Sequence, residues 1–165
     1  QHFVTKENNL LMITVGTGLG GGIINKGNIL RGTKGGGGEI GHIIYPGNTK
    51  QCTCGKVGCV ETLLSGRYLR ENIHGKEGKL ALENITEYSK IMAWLIDTAR
   101  AALDFEKCYL GGVIPGYGEE LLGSIRKSYE QIRKGESGEF IQYSRSGEFG
   151  GARGAALLSF CERKR

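Results

Sequence analysis

The chain has 165 residues, 39% apolar and 24% charged, which excludes intrinsic disorder and is enough for one buried core. Its net charge of +5 is modest and lies partly in residues 126–134 and 162–165, which read as solvated faces rather than a nucleic-acid groove. No apolar run reaches the length of a membrane span, and residues 1–9 carry no signal-peptide pattern.

LLMITV (10–15), closed by Gly16, predicts a buried strand. GTGLGGG (16–22) turns the chain, and GGIINKGNIL (21–30) supplies two more short strands joined by Lys26, Gly27 and Asn28. From residue 33 to 58 no periodicity appears, and so long a loop in a compact domain is usually functional or stapled. A helix is expected from Cys59 or Val60 through residue 72. A second, with Asn84 and Glu87 as a capping pair, sets Tyr88, Ile91, Met92, Leu95, Ile96, Ala99, Ala102 and Leu103 on one face. KCYLGGVI (107–114) reads as a strand ending in a Gly-Gly turn, and residues 119–132 as a helix striped by Leu121, Leu122, Ile125, Tyr129 and Ile132. EFIQYS (139–144) is a candidate last strand and GGARGAALLSF (150–160) a small-residue helix suited to close packing on a sheet. Three antiparallel strands followed by alternating helices and strands predict a single α/β domain, residues 1–165, with a mixed sheet.

The loop carries the first chemistry. His42, Cys52, Cys54 and Cys59 have the spacing H-x9-C-x-C-x4-C, and imidazole and thiolate are the donors zinc prefers. Five cysteines, three of them within eight positions, suit a metal site in a reducing compartment better than a disulfide framework. Four protein ligands close the coordination sphere, so the predicted ion is structural. A catalytic zinc with Glu39 or Glu61 as base needs an open position, which exists only if Cys52 or Cys54 does not bind. Cys108 and Cys161 read as small buried hydrophobes.

The glycine turn carries the second. Successive backbone amides around Gly16, Gly18 and Gly20, with the Thr17 hydroxyl, suit a phosphate cradle, and they equally suit a plain tight turn. A strand pattern rather than a helix follows, which argues against a dinucleotide fold, and a Walker lysine is missing.

Taken together, G-T-G-x-G-G-G at 16–22, E-I-G-H at 39–42, C-x-C-G-x-x-G-C-x-E at 52–61 and LGGVI at 110–114 resemble the ROK family of bacterial sugar kinases and sugar-responsive repressors. The resemblance implies a lobe of the actin-like ATPase (ribonuclease H-like) fold with a zinc-stapled loop. It covers nearly all of this chain but only the C-terminal half of a typical member. It implies zinc on His42, Cys52, Cys54 and Cys59; a sugar facing Glu39, His42 and Glu61; ATP phosphates at the Thr17 turn; and adenosine beside Gly111 and Gly112. The double role of His42 is chemically sound, since one imidazole nitrogen can bind metal while the other meets a hydroxyl. Glu39 and Glu61, without the motif, would pass for solvated loop carboxylates.

In the family the catalytic base is an aspartate of the N-terminal half. Only Asp97 and Asp104 occur here, both within the helix predicted around Trp94, so no catalytic residue is assigned. The implied function is one lobe of a cytoplasmic, homodimeric kinase using ATP and Mg2+ on a hexose or N-acetylhexosamine, inactive alone. The alternative is the sugar-sensing domain of a repressor, whose DNA-binding part lies outside this chain. The intact GTGLGGG turn favours the kinase.

Overall fold

The computed structural model describes residues 7–72, 82–145 and 147. Its centre is a five-stranded sheet in the order β3-β2-β1-β4-β5: β1 Leu10–Val15, β2 Leu19–Asn25, β3 Asn28–Ile29, β4 Lys107–Gly112 and β5 Ile141–Tyr143. β1 runs antiparallel to β2 and parallel to β4, β2 is antiparallel to β3, and β4 is parallel to β5, so the sheet is mixed.

Alternation along β1 decides which face is covered. Leu11, Ile13 and Val15 are wholly buried, and the register sets Leu11 beside Cys108 and Ile13 beside Leu110, both also buried. These residues form one core with two long helices, α3 Leu82–Leu103 and α4 Gly118–Ile132. The buried apolar positions on α3 include Ile85, Tyr88, Ile91, Met92, Leu95, Ile96 and Ala99, a helical stripe; those on α4 include Leu121, Leu122, Ile125 and Tyr129. Arg100 fastens α3 to α4 and beyond. Its Nη1 donates to Tyr129 Oη at 2.8 Å and to Glu136 at 3.1 Å, while its guanidinium lies 4.2 Å from the Phe140 ring centroid.

The helix expected from residue 59 to 72 is broken in two: α1 Glu61–Leu64 and α2 Gly66–Asn72 meet at Ser65, whose backbone is extended. Gly66 explains the break. Its amide donates to Gly16 O at 2.8 Å, a bond to the sheet turn in place of one along the helix. Nor do Asn84 and Glu87 cap α3, which begins two residues earlier; Asn84 Nδ2 instead donates to Asn72 O across the intervening segment. β4 stops at Gly112, where φ turns to +77°, and Ile114–Tyr117 form a 3-10 turn. Glu139 and Phe140 likewise belong to the 3-10 turn Gly138–Phe140, with only Ile141–Tyr143 in the strand. Asp104 lies past the end of α3 with φ +47°. The small-residue helix at 150–160 and Cys161 fall outside the described residues. Among the described residues no helix is long and apolar enough to cross a membrane.

Tyr88 is fully buried and its hydroxyl donates to Leu64 O at 3.1 Å, tying α3 to α1. Tyr88→Phe keeps the ring and removes that bond, so chemical denaturation should show a loss of about 1 kcal/mol. An unchanged midpoint would mean that the bond contributes nothing.

Candidate metal centre and adjoining cleft

After β3 the chain folds back across β2 so closely that a Cβ on Gly21 would stand 2.4 Å from Gly38 O. Only a glycine at position 21 admits this crossing. It carries the segment to a 3-10 turn, Ile40–His42, whose Ile40 is buried and whose His42 ends the turn. From there the loop is not irregular. Ile43 and Tyr45 exchange backbone bonds with Val60 and Gly58 (Val60 N to Ile43 O and Tyr45 N to Gly58 O, both 2.9 Å), while Gln51 pairs with Val57. Cys52 N donates to Lys56 O at 2.8 Å and Gly55 N returns to Cys52 O at 3.0 Å, closing a tight turn around Cys54. Asn48 Nδ2 bonds both Cys59 O, at 3.0 Å, and Thr62 Oγ1, at 2.9 Å, so the loop is joined to the start of α1.

These bonds bring His42, Cys52, Cys54 and Cys59 together, with all four donor atoms within 4.8 Å of one another. Cys54 Sγ lies 3.6 Å from Cys59 Sγ, and Cys52 Sγ lies 3.8 Å from His42 Nδ1. Tetrahedral zinc with bonds of about 2.0–2.3 Å requires donor separations of about 3.4–3.8 Å, so these edges fit such an ion. Cys52 and Cys59 are buried, whereas Cys54 is exposed. Burial, with the two neighbouring thiols, pushes the Cys59 thiol up to about 12. The Cys54 thiol is drawn below its ordinary value, first by the hydrogen bond of the Lys56 backbone and then by the adjacent cysteines.

The three residues assigned to a sugar divide into two places. His42 turns Nδ1 to Cys52 and sets Nε2 3.6 Å from Glu39 Oε2, a carboxylate that is 68% exposed. Glu61 lies beyond Cys52, its Oε1 3.7 Å from that sulfur and its Oε2 accepting the Leu19 amide at 2.8 Å. Beside Glu61 opens a cleft of about 530 Å³, lined among others by Thr17, Gly18, Lys50, Cys52, Glu61 and Arg67. Glu39 and His42 are not part of its wall. Gly20 is exposed on β2, where it pairs with Thr14 and a Cβ would meet nothing within 4 Å.

Parallel pairing of β1 with β4 sets Gly111 beside Thr14 and Gly112 beside Val15, so the Gly-Gly turn and the Thr17 turn end the same two strands. In open α/β sheets, ligands bind at such carboxyl strand ends. Asp97 pairs with Arg133, and neither Asp97 nor Asp104 lines the cleft.

Lys50, Arg67 and Tyr68 are cleft residues that the sequence did not mark. Lys50 Nζ stands 5.0 Å from the Tyr68 ring centroid, and no motif spacing announces the pair. An unbroken helix from Glu61 would have put Tyr68 on the same face two turns on; the break at Ser65 hides that signal.

The family model described as "ROK family" matches residues 4–161. A glucokinase of Halalkalibacterium halodurans is 34% identical, the match covering 74% of this chain and 46% of that protein. The crystal structure of a ROK hexokinase from Thermus thermophilus superposes with a TM-score of 0.81 at 28% identity, covering 96% of this chain and 59% of that one. A ROK glucokinase from Streptomyces griseus, solved with glucose and AMPPNP, also gives 0.81, at 26% identity over 93% of this chain and 61% of that one. The chain thus spans about half the length of the curated relative it matches. With its motifs, its mixed sheet and its Cys/His cluster, this chain belongs to the ROK family.

Proposed function

We propose that this chain is the C-terminal lobe of an ATP-dependent sugar kinase acting on a hexose or N-acetylhexosamine. The observation that carries the reading is one of placement. A group of four metal-donor side chains, a carboxylate that lines an open cleft, and the Thr17–Gly18 turn at that cleft's edge are linked through Glu61, whose Oε1 lies 3.7 Å from Cys52 Sγ and whose Oε2 accepts the Leu19 amide.

Zinc held by His42, Cys52, Cys54 and Cys59 would leave no coordination site for water, so its contribution is to fix the loop. The loop's own residues then do the binding. Glu39 and Glu61 are strong acceptors for sugar hydroxyls, and the His42 nitrogen facing Glu39 donates to a third. Thr17 with the amides around Gly16, Gly18 and Gly20 meets phosphate, helped by Mg2+, which neutralises charge on the phosphates when bound. Gly111 and Gly112 give adenosine a wall without side chains. The proton acceptor for the sugar hydroxyl comes from the other half of the protein, because both aspartates of this chain stand away from the cleft. The second lobe and a homodimeric assembly, in the cytoplasm, complete the reading.

The metal-loaded chain is expected to contain one zinc, to bind a non-hydrolysable ATP analogue in calorimetry, and to show no steady ATP turnover with glucose, N-acetylglucosamine or N-acetylmannosamine. Steady turnover would overturn the assignment as a lobe. Failure to bind the nucleotide analogue would overturn the kinase reading.

A further inference from the structure

Glu61 belongs to two parts of the structure at once. It opens α1 two residues after Cys59, yet its carboxylate reaches back to the first residue of β2, where Oε2 accepts the Leu19 amide at 2.8 Å. Val15 O, across the hairpin from Leu19, accepts the Val113 amide at 2.8 Å. The carboxylate lies directly against the turn: a Cβ on Gly18 would stand 2.3 Å from Oε2. On the other side of the same turn, Gly66 N donates to Gly16 O at 2.8 Å. One short segment, residues 61–66, therefore grips the turn at both ends, with Thr17 exposed between the two holds.

We propose that Glu61 is a positioning residue for the nucleotide-facing turn, holding the Gly18–Leu19 backbone through the Leu19 amide so that Thr17 is presented to the cleft. The proposal deepens the kinase reading and rests on it for the nature of the ligand. It also gives Gly18 a reason independent of phosphate: a side chain there would displace the carboxylate. Because Glu61 also lines the cleft, a sugar hydroxyl donating to its other oxygen, Oε1, which stands 3.7 Å from Cys52 Sγ, orders the carboxylate that holds the turn. Sugar and nucleotide then assist one another by the same factor, as linkage requires.

The test compares E61A, which removes the acceptor, with E61Q, which retains a carbonyl oxygen for the Leu19 amide. Hydrogen exchange of that amide is followed by NMR in the zinc-loaded protein, alongside affinity for a non-hydrolysable ATP analogue. E61A should raise Leu19 exchange at least about tenfold and weaken the analogue about three- to tenfold, the scale of one hydrogen bond. E61Q should restore both, with zinc content and the exchange of Leu11 and Leu110 unchanged. Should E61A lose metal or unfold, G18A displaces the carboxylate with Glu61 still present and is expected to expose the Leu19 amide in the same way. A Leu19 amide as protected in E61A or G18A as in the parent protein overturns the proposal, and so does an E61Q no better than E61A. If the parent protein binds no nucleotide, the kinase reading fails, while Leu19 exchange still decides whether Glu61 holds the turn.

Discussion

Gly112→Ala is expected to destabilise the protein by about 2–5 kcal/mol, a large part of the total stability of a domain this size. Two costs coincide at this position. Its φ of +77° is a left-handed conformation that costs an L-residue about 1–2 kcal/mol. A Cβ there would also stand 2.1 Å from Val15 O, a backbone atom of the central strand that cannot swing aside. Overpacking of that kind adds about 1–3 kcal/mol. Gly123, in the exposed face of α4 with nothing within 4 Å of its Cβ position, is the control. Gly123→Ala should stabilise by about 0.5–1 kcal/mol through helix propensity. Urea titrations of the two variants read both signs. Equal and small effects would show that β1 and β4 can part at this point without penalty.

Cys59→Ser should abolish stoichiometric zinc and lower stability by about 4 kcal/mol or more, as loss of a structural metal does. Cys59 is fully buried, its sulfur is 3.6 Å from Cys54, and its carbonyl anchors Asn48, so no solvent ligand can take its place without opening the loop. Elemental analysis and thermal unfolding with and without chelator provide the measurement. Chelation should lower the parent protein's melting temperature and leave that of the variant unaltered. Cys108→Ala, in β4, should keep its zinc, because that thiol lies in the sheet core. Zinc affinity should also fall as pH falls. Each thiol must lose its proton to bind, and the Cys59 thiol, pushed up to about 12 by burial, resists this most. Reduced protein that never acquires the ion at neutral pH would remove the basis for the metal centre.

The outline of the fold was legible where local pattern and final packing agree. LLMITV is a short apolar run closed by a glycine and forms the buried strand β1, and α3 and α4 carry their buried residues at helical spacing. The cysteine and histidine spacing likewise announced a cluster whose four donor atoms the fold brings within 4.8 Å of one another. Errors came where a distant partner overruled local preference. Gly66 breaks a helix because Gly16, fifty residues earlier, accepts its amide. Asn84, read as half of a capping pair, lies inside α3 and donates its side-chain amide to Asn72 O instead. The strand at 107, by contrast, does end at its Gly-Gly pair, where Gly112 turns left-handed. In the site, residue types were readable but their grouping was not. Nothing in the spacing separates Glu61 from Glu39, yet one grips the hairpin and the other pairs with His42. The cation over Tyr68 depends on the meeting of a loop and a helix, which has no sequence period.

The two-sided pairing of β1 also bears on how the chain emerges from the ribosome. Its antiparallel neighbour arrives within a few residues and can zip up in about 1–10 μs, but its parallel neighbour is made about a hundred residues later. At roughly 5–20 residues per second, one edge of the nascent hairpin stays uncovered for on the order of 5–20 s. During that interval the apolar run at 10–15 is an invitation to intermolecular pairing. Early capture of an ion by the loop at 42–59 would compact the intervening chain and shorten the remaining search for β4.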